Sequence, residues 1–165
     1  PKTLLQITLS KPKPDSALSV VKPSVFEDLF EDDRLTDFEL LMSDGKILKA
    51  HKLVLSIQSK VFKAMFTNET KEAKEGAVTI PDIDSKTMKE VLRFMYTNEV
   101  KDLNELDRRL VLAAEKYDLD ELKEVCIESI VNSLTTENVL EALVMSLRLS
   151  GAEKMFEECA EFIIK

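Results

Sequence analysis

The stretch Ala50-His51-Lys52-Leu53-Val54-Leu55-Ser56-Ile57-Gln58-Ser59-Lys60-Val61-Phe62-Lys63-Ala64-Met65-Phe66 decides how this chain is read. Leu53, Leu55 and Ile57 predict a short helix, Ser59 breaks it, and Phe62, Met65 and Phe66 at i, i+3 and i+4 predict a second one. Immediately upstream the period is two. From Thr36 onward, Phe38, Leu40 and Met42 alternate with Asp37, Glu39 and Leu41, the pattern of a strand with one buried face. Asp44-Gly45 is a hairpin turn signal, and Lys46-Ile47-Leu48-Lys49 forms the returning strand. A hairpin therefore feeds directly into a pair of helices.

Downstream, the polar residues from Thr67 to Gly76 read as a loop, and Val78-Thr79-Ile80 as a short strand stopped by Pro81. Asp84 or Ser85 caps a helix whose stripe is Met88, Val91, Leu92 and Met95. Beyond Tyr96-Thr97-Asn98 and a short stretch at Val100, the chain reads as helical. The expected stripes are Leu103, Leu106, Leu110, Ala113 and Tyr117, then Leu122, Val125, Cys126, Ser129 and Ile130, then Val139, Leu140, Leu143 and Leu147. Ser150-Gly151 ends the third of these, and Met155, Cys159, Phe162 and Ile163 mark a last helix. Upstream, Leu4 to Leu9 is strand-like, and Lys11-Pro12-Lys13-Pro14 reads as a linker. Ser24 caps a short helix with Val25, Phe26, Leu29 and Phe30 on one face. Four large apolar residues on so short a helix need a cover, either the domain's own core or a second copy of the chain. A small sheet interrupted by helices and followed by a helical tail is an α+β arrangement in which helices dominate.

Composition narrows the function. The 165 residues carry 23 Lys+Arg against 31 Asp+Glu, a formal charge of −8, and 44% of them are apolar. A chain of this size buries roughly 70% of its unfolded surface, enough for one good core. The acidic balance repels phosphate backbones and argues against nucleic acid as a partner. No apolar run exceeds the five residues from Leu110 to Ala114, so no helix spanning a membrane is expected. With only 3 Gly there is no phosphate-binding loop. Cys126 and Cys159 have neither a second Cys nor a His at metal-ligand spacing; they read as buried thiols in a reducing, nuclear or cytoplasmic compartment. His51 has no Ser, Cys or second His placed for a relay, and Asp37 is its expected structural partner. Asp32-Asp33 and Glu157-Glu158 read as solvated faces. No cofactor and no enzyme activity are expected, and the start at Pro1 without Met reads as a cut from something longer. The chain looks like an interaction module.

Ala50-His51-Lys52-Leu53-Val54-Leu55-Ser56, Ser59, Val61-Phe62 and Ala64-Met65-Phe66 together resemble the BTB/POZ family. Asp37, then Val78-Thr79-Ile80-Pro81-Asp82-Ile83, Leu92-Arg93-Phe94-Met95-Tyr96-Thr97 and Leu112 to Leu119 continue that resemblance in order, over about residues 24 to 130. The helix Val25 to Phe30 followed by Arg34-Leu35-Thr36-Asp37 is similar to the start of this domain in speckle-type POZ proteins. Leu149-Ser150-Gly151-Ala152-Glu153 resembles their helical 3-box. The resemblance implies residues 1–23 as the end of an upstream MATH-like domain plus linker, 24–120 as the BTB domain and 121–165 as a 3-box extension. It further implies a non-catalytic adaptor of a cullin-3 ubiquitin ligase, whose substrates are held by a MATH-like domain missing here.

The resemblance also implies site residues. Val25, Phe26, Leu29 and Phe30, joined by Val54, would form a homodimer interface, each large apolar side chain contributing about 1.5–3 kcal/mol when buried. Met65, Phe66, Thr67, Asn68, Thr70, Glu72 and Tyr117 would face cullin-3. The family's hydrophobic-x-Glu motif falls on Thr70-Lys71-Glu72, where Thr70 replaces a large apolar residue at an expected loss of about tenfold in affinity. Asp37 and His51 would be structural, and Asn98 stands where the family often has Gly. The competing expectation is a BTB homodimerisation module of a transcriptional regulator that recruits corepressors.

Overall fold

The computed structural model describes residues 25–68 and 70–164. Strand β1 (Phe38–Met42) is the middle of the sheet, and its alternation is realised: Phe38, Leu40 and Met42 are buried while Glu39 and Leu41 point out. Strand β2 (Ile47–Ala50) pairs with it antiparallel, Phe38 opposite Ala50 and Leu41 opposite Ile47. Gly45, at φ +78°, makes the turn, donating its N–H to the Met42 carbonyl at 3.0 Å. Strand β3 (Ala77–Ile80) pairs with the other edge of β1 in parallel, giving the order β2-β1-β3 among the described residues. A parallel partner requires a crossover. Here the crossover is helical: α2 (Lys52–Gln58), α3 (Lys60–Thr67) and α4 (Lys71–Glu75).

Helix α4 corrects the expected loop from Thr67 to Gly76. Its N-cap is Thr70, whose hydroxyl accepts the Ala73 N–H at 3.3 Å, and Gly76 closes it at φ +71°. Two cap residues six positions apart suffice for one turn that has no apolar stripe of its own. Helix α2 corrects a face. Val54 and Leu55 are buried, whereas Leu53 and Ile57 are 70% and 72% exposed. The break at Ser59 is real, and its side chain serves two helices: Oγ accepts the Phe62 N–H at 3.2 Å and donates to the Tyr117 carbonyl at 2.6 Å.

Helix α5 (Ser85–Thr97) begins at the Asp84 cap, whose carboxylate accepts the Thr87 N–H at 2.8 Å. It ends at Asn98, which adopts φ +57°, a left-handed conformation that asparagine tolerates. It packs against β2, α2, α6 (Leu103–Lys116) and α1 (Val25–Glu31). Helix α7 (Asp120–Asn132) lies along α6, and the pair α8 (Val139–Ser146) and α9 (Glu153–Ile164) is attached through α7.

Three helical stripes of this tail shift from expectation. In α7, Ile127 is buried and Val125 is not; in α8, Ala142 and Ser146 accompany Val139 inward while Leu140 and Leu147 face solvent; in α9, Met155 and Cys159 are buried but Phe162 and Ile163 are exposed. Short terminal helices have too few neighbours to cover every apolar residue. Both thiols are buried and free, and burial pushes Cys126 up to about 12.

Candidate interaction surfaces

Helix α1 is seated by its aromatic residue. The Phe30 ring lies 5.5 Å from that of Tyr96, and the Arg93 guanidinium stands over its face at 4.8 Å. Arg93 is itself buried, its Nε donating to Glu90 Oε1 at 3.2 Å, and Glu90 Oε2 accepts the Lys101 N–H at 2.9 Å. Lys101 also reaches Glu27 of α1 at 3.2 Å. Leu29 and Phe30 therefore pack on the chain's own core, while Phe26 stays 52% exposed. The Val25 side chain lies outside the described residues. Of the two covers expected for this helix, the chain's own core takes the inner edge and leaves Phe26 half exposed at the outer one. Phe26 overhangs a cleft of about 330 Å³ lined by Val54, Ile57, Met95, Tyr96 and Asn98. Val54 forms the floor at 8% exposure, so the accessible apolar surface of α2 belongs to Leu53 and Ile57. Sequence reasoning missed those two as surface residues because it placed them inside; with apolar residues at Leu53, Val54, Leu55 and Ile57, spacing gives no signal for which face is exposed.

Asp37 and His51 are both structural in geometry, but not with each other. Asp37 Oδ1 accepts the Lys52 N–H at 2.7 Å, capping the first turn of α2 from the preceding strand segment. His51 pairs with Tyr96: its backbone N–H donates to the tyrosine oxygen at 2.9 Å, and that hydroxyl bonds Nδ1 at 2.8 Å. The expected Asp–His pair is replaced because the open N–H groups of a helix start attract the carboxylate. Burial raises the Tyr96 phenol above its ordinary value.

The second surface is the shoulder formed by α3 and α4. Thr67 and Asn68 are exposed, whereas Met65 and Phe66 are half-buried, Phe66 meeting Phe38 edge-on at 4.9 Å. Lys52 closes the shoulder, donating to the Ala73 carbonyl at 2.9 Å with its ammonium 5.7 Å from the Phe38 ring and 5.8 Å from that of Phe66. Thr70 caps α4 and Glu72 lies in its first turn. The backbone N–H of Glu72 and the Thr70 hydroxyl hold the Glu72 carboxyl below its usual value. A threonine at this position is explained locally: a large apolar side chain has no oxygen with which to cap α4. Tyr117 does not reach this surface. Its ring stacks on Phe62 at 4.8 Å and 2°, it is 4% exposed, and burial drives its phenol well above the ordinary range. The exposed residues nearby on α6 are Leu112 and Lys116, the latter paired with Asp82 at 2.7 Å. Leu106 of the same helix has its side chain outside the described residues.

A third feature joins the helical tail to the core. Glu115 of α6 accepts the Ser150 N–H at 3.1 Å through Oε1 and the Ser150 hydroxyl at 3.1 Å through Oε2. Lys123 of α7, a buried lysine, donates to Glu115 Oε2 and to Ser150 Oγ, each at 3.0 Å, and meets Asp120 at 3.1 Å. Burial acts to raise the Glu115 carboxyl, but the bonds from Lys123 and Ser150 outweigh it and hold it low. No periodicity argument finds this clasp, because its three parts lie on separate elements.

Among the described residues no group of three His, Cys, Asp or Glu converges to hold a metal ion, and no helix is long and apolar enough to cross a membrane. The strand-like segment Leu4 to Leu9 and the rest of residues 1–23 lie outside the described residues. The family model for the BTB/POZ domain matches residues 26–134. Among solved structures, the BTB domain of zebrafish PATZ1 is similar, with 25% identity and a TM-score of 0.53 over 62% of this chain and 81% of that one. The sheet order, the capped helical crossover and this match together place the chain in the BTB/POZ family of protein–protein interaction domains.

Proposed function

We propose that this chain is the dimerising and ligase-binding part of a substrate adaptor for a cullin-3 ubiquitin ligase, with no chemistry of its own. The observation that carries this reading is the helical pair α8–α9, which continues the chain beyond the family-matched residues and presents Leu140, Val144 and Leu147 to solvent. An interaction domain that needed only to dimerise has no use for that second apolar face.

In this reading residues 24–120 are the BTB domain and 121–165 its 3-box, while residues 1–23 end a MATH-like domain that holds substrates. A homodimer forms through Phe26, Leu53 and Ile57 over the Val54 floor, with Leu29 and Phe30 anchoring α1 from behind. Cullin-3 meets Thr67, Asn68, Glu72 and the exposed edges of Met65 and Phe66, with the α8 face supplying apolar contact that Thr70 does not. Two such chains in one dimer raise the effective concentration of ligase around a bound substrate. Work in the nucleus or cytoplasm is part of the same proposal.

Calorimetric titration of the amino-terminal region of cullin-3 into the protein is the test. A saturable heat in the micromolar range is expected, and no heat up to high micromolar concentration removes the adaptor reading. The second reading, a BTB homodimerisation module of a transcriptional regulator that recruits corepressors, draws its support from the likeness to the PATZ1 domain. It gains ground if a corepressor fragment gives heat and the cullin region does not.

A further inference from the structure

Ser150 occupies an unusual place for a surface serine. It lies in the turn between α8 and α9 next to Gly151, which adopts a φ of +69°, and the residue is exposed. Its hydroxyl nevertheless reaches inward, donating to Glu115 and accepting from the buried Lys123 ammonium. The sole direct hydrogen bonds from this turn to α6 and α7, among those of the described residues, run through Ser150. The local charge is already unbalanced, since two carboxylates, Glu115 and Asp120, share the one ammonium.

We propose that Ser150 is a phosphoacceptor, and that its phosphorylation unfastens α8 and α9 from the α6–α7 pair. The surrounding sequence suits an acidophilic serine kinase, with Gly151 next and Glu153 three positions on, followed by Glu157 and Glu158. In the transfer, the Ser150 oxygen forms a bond to the γ-phosphorus of ATP as the bond from that phosphorus to the bridging oxygen of ADP breaks. The hydroxyl proton passes to the kinase's general base. The product has lost the O–H that Glu115 accepted and has gained about 1.5 to 2 negative charges beside the two carboxylates. One lysine cannot neutralise all three groups. Its attraction to the phosphate withdraws it from Glu115, which is left against a like charge, and the clasp opens. This inference stands on the clasp alone and does not depend on which partner the tail binds.

The test treats the 165-residue protein with an acidophilic serine kinase and ATP, locates phosphate by mass spectrometry, and follows amide hydrogen exchange. Phosphate on Ser150, absent in Ser150→Ala, is expected, together with exchange about tenfold faster in α8 and the first turn of α9 and unchanged exchange in β1 and α5. Ser150→Asp should move the same amides in the same direction by less, because it adds a single charge. No phosphate at Ser150 removes the site; phosphate there with unaltered exchange in α8 and α9 removes the switch.

Discussion

Helices α5 and α8 invert the ordinary relation between composition and burial. In α5 six of thirteen residues are apolar, yet ten are buried, including Ser85, Thr87, Glu90 and Arg93. In α8 six of eight are apolar, yet only Val139, Ala142 and Ser146 are buried. The difference lies in the neighbours. Elements α1, α2, β2 and α6 all lean on α5, so even its polar residues are enclosed and must find partners, as Arg93 does in Glu90 and the Phe30 ring. Helix α8 rests chiefly on α9, and its outer side meets solvent. Burial in a small domain is decided by how many elements converge on a helix, and an apolar residue that finds no element inside the chain is available to one outside it.

The largest effect expected from this contrast is in the hub. Met88 of α5 is fully buried, and Met88→Ala should lower stability by about 2–5 kcal/mol through lost burial and the cavity left behind. Chemical denaturation reads this directly, and an unshifted midpoint would mean that α5 is not the centre of the core. A middle-sized effect is expected at its cap. Asp84→Ala removes the acceptor for the Thr87 N–H and should cost about 1 kcal/mol at neutral pH. Burial alone would raise the Asp84 carboxyl, but Thr87 and Arg109 bring it below its ordinary 3.8. The unfolded chain therefore takes up protons at higher pH than the folded one, so the carboxylate's contribution is complete above about that value and is shed as the pH falls further. The gap between wild type and Asp84→Ala should narrow in acid; a gap that widens there contradicts the assignment. The smallest effect belongs to the residue that caps the C-terminal end of α8. Leu147→Ser, at a 70% exposed position, should shift the same midpoint by no more than about 0.5 kcal/mol. A loss comparable to that of Met88→Ala would show that α8 is part of the core after all.

Much of the fold can be read in the residues themselves where local signals are strong. The alternation of Phe38, Leu40 and Met42, the Asp44-Gly45 turn and a helix cap at Asp84 or Ser85 are all local; the first two appear as expected, and Asp84 is the residue that caps. Faces are harder. Helix α2 has apolar residues at Leu53, Val54, Leu55 and Ile57, so periodicity alone cannot choose which side turns inward, and the same holds for α8. Partnerships between distant elements are harder still. The bond from Asp37 to the start of α2, the bond from Tyr96 to His51, and the stacking of Tyr117 on Phe62 depend on where three or four elements meet. The family resemblance located the α3–α4 shoulder without distinguishing its exposed members, Thr67 and Asn68, from Tyr117, which is core.

The parallel pairing of β1 with β3 also sets the order in which this chain can fold. The hairpin of β1 and β2 is complete by Ala50, but the other edge of β1 waits for residues 77–80 to arrive across three intervening helices. During synthesis the unpaired N–H and C=O groups along that edge are a template for any passing strand. Slow closure of the loop between the two strands thus makes the interval before β3 docks the time at which the chain is most prone to aggregate.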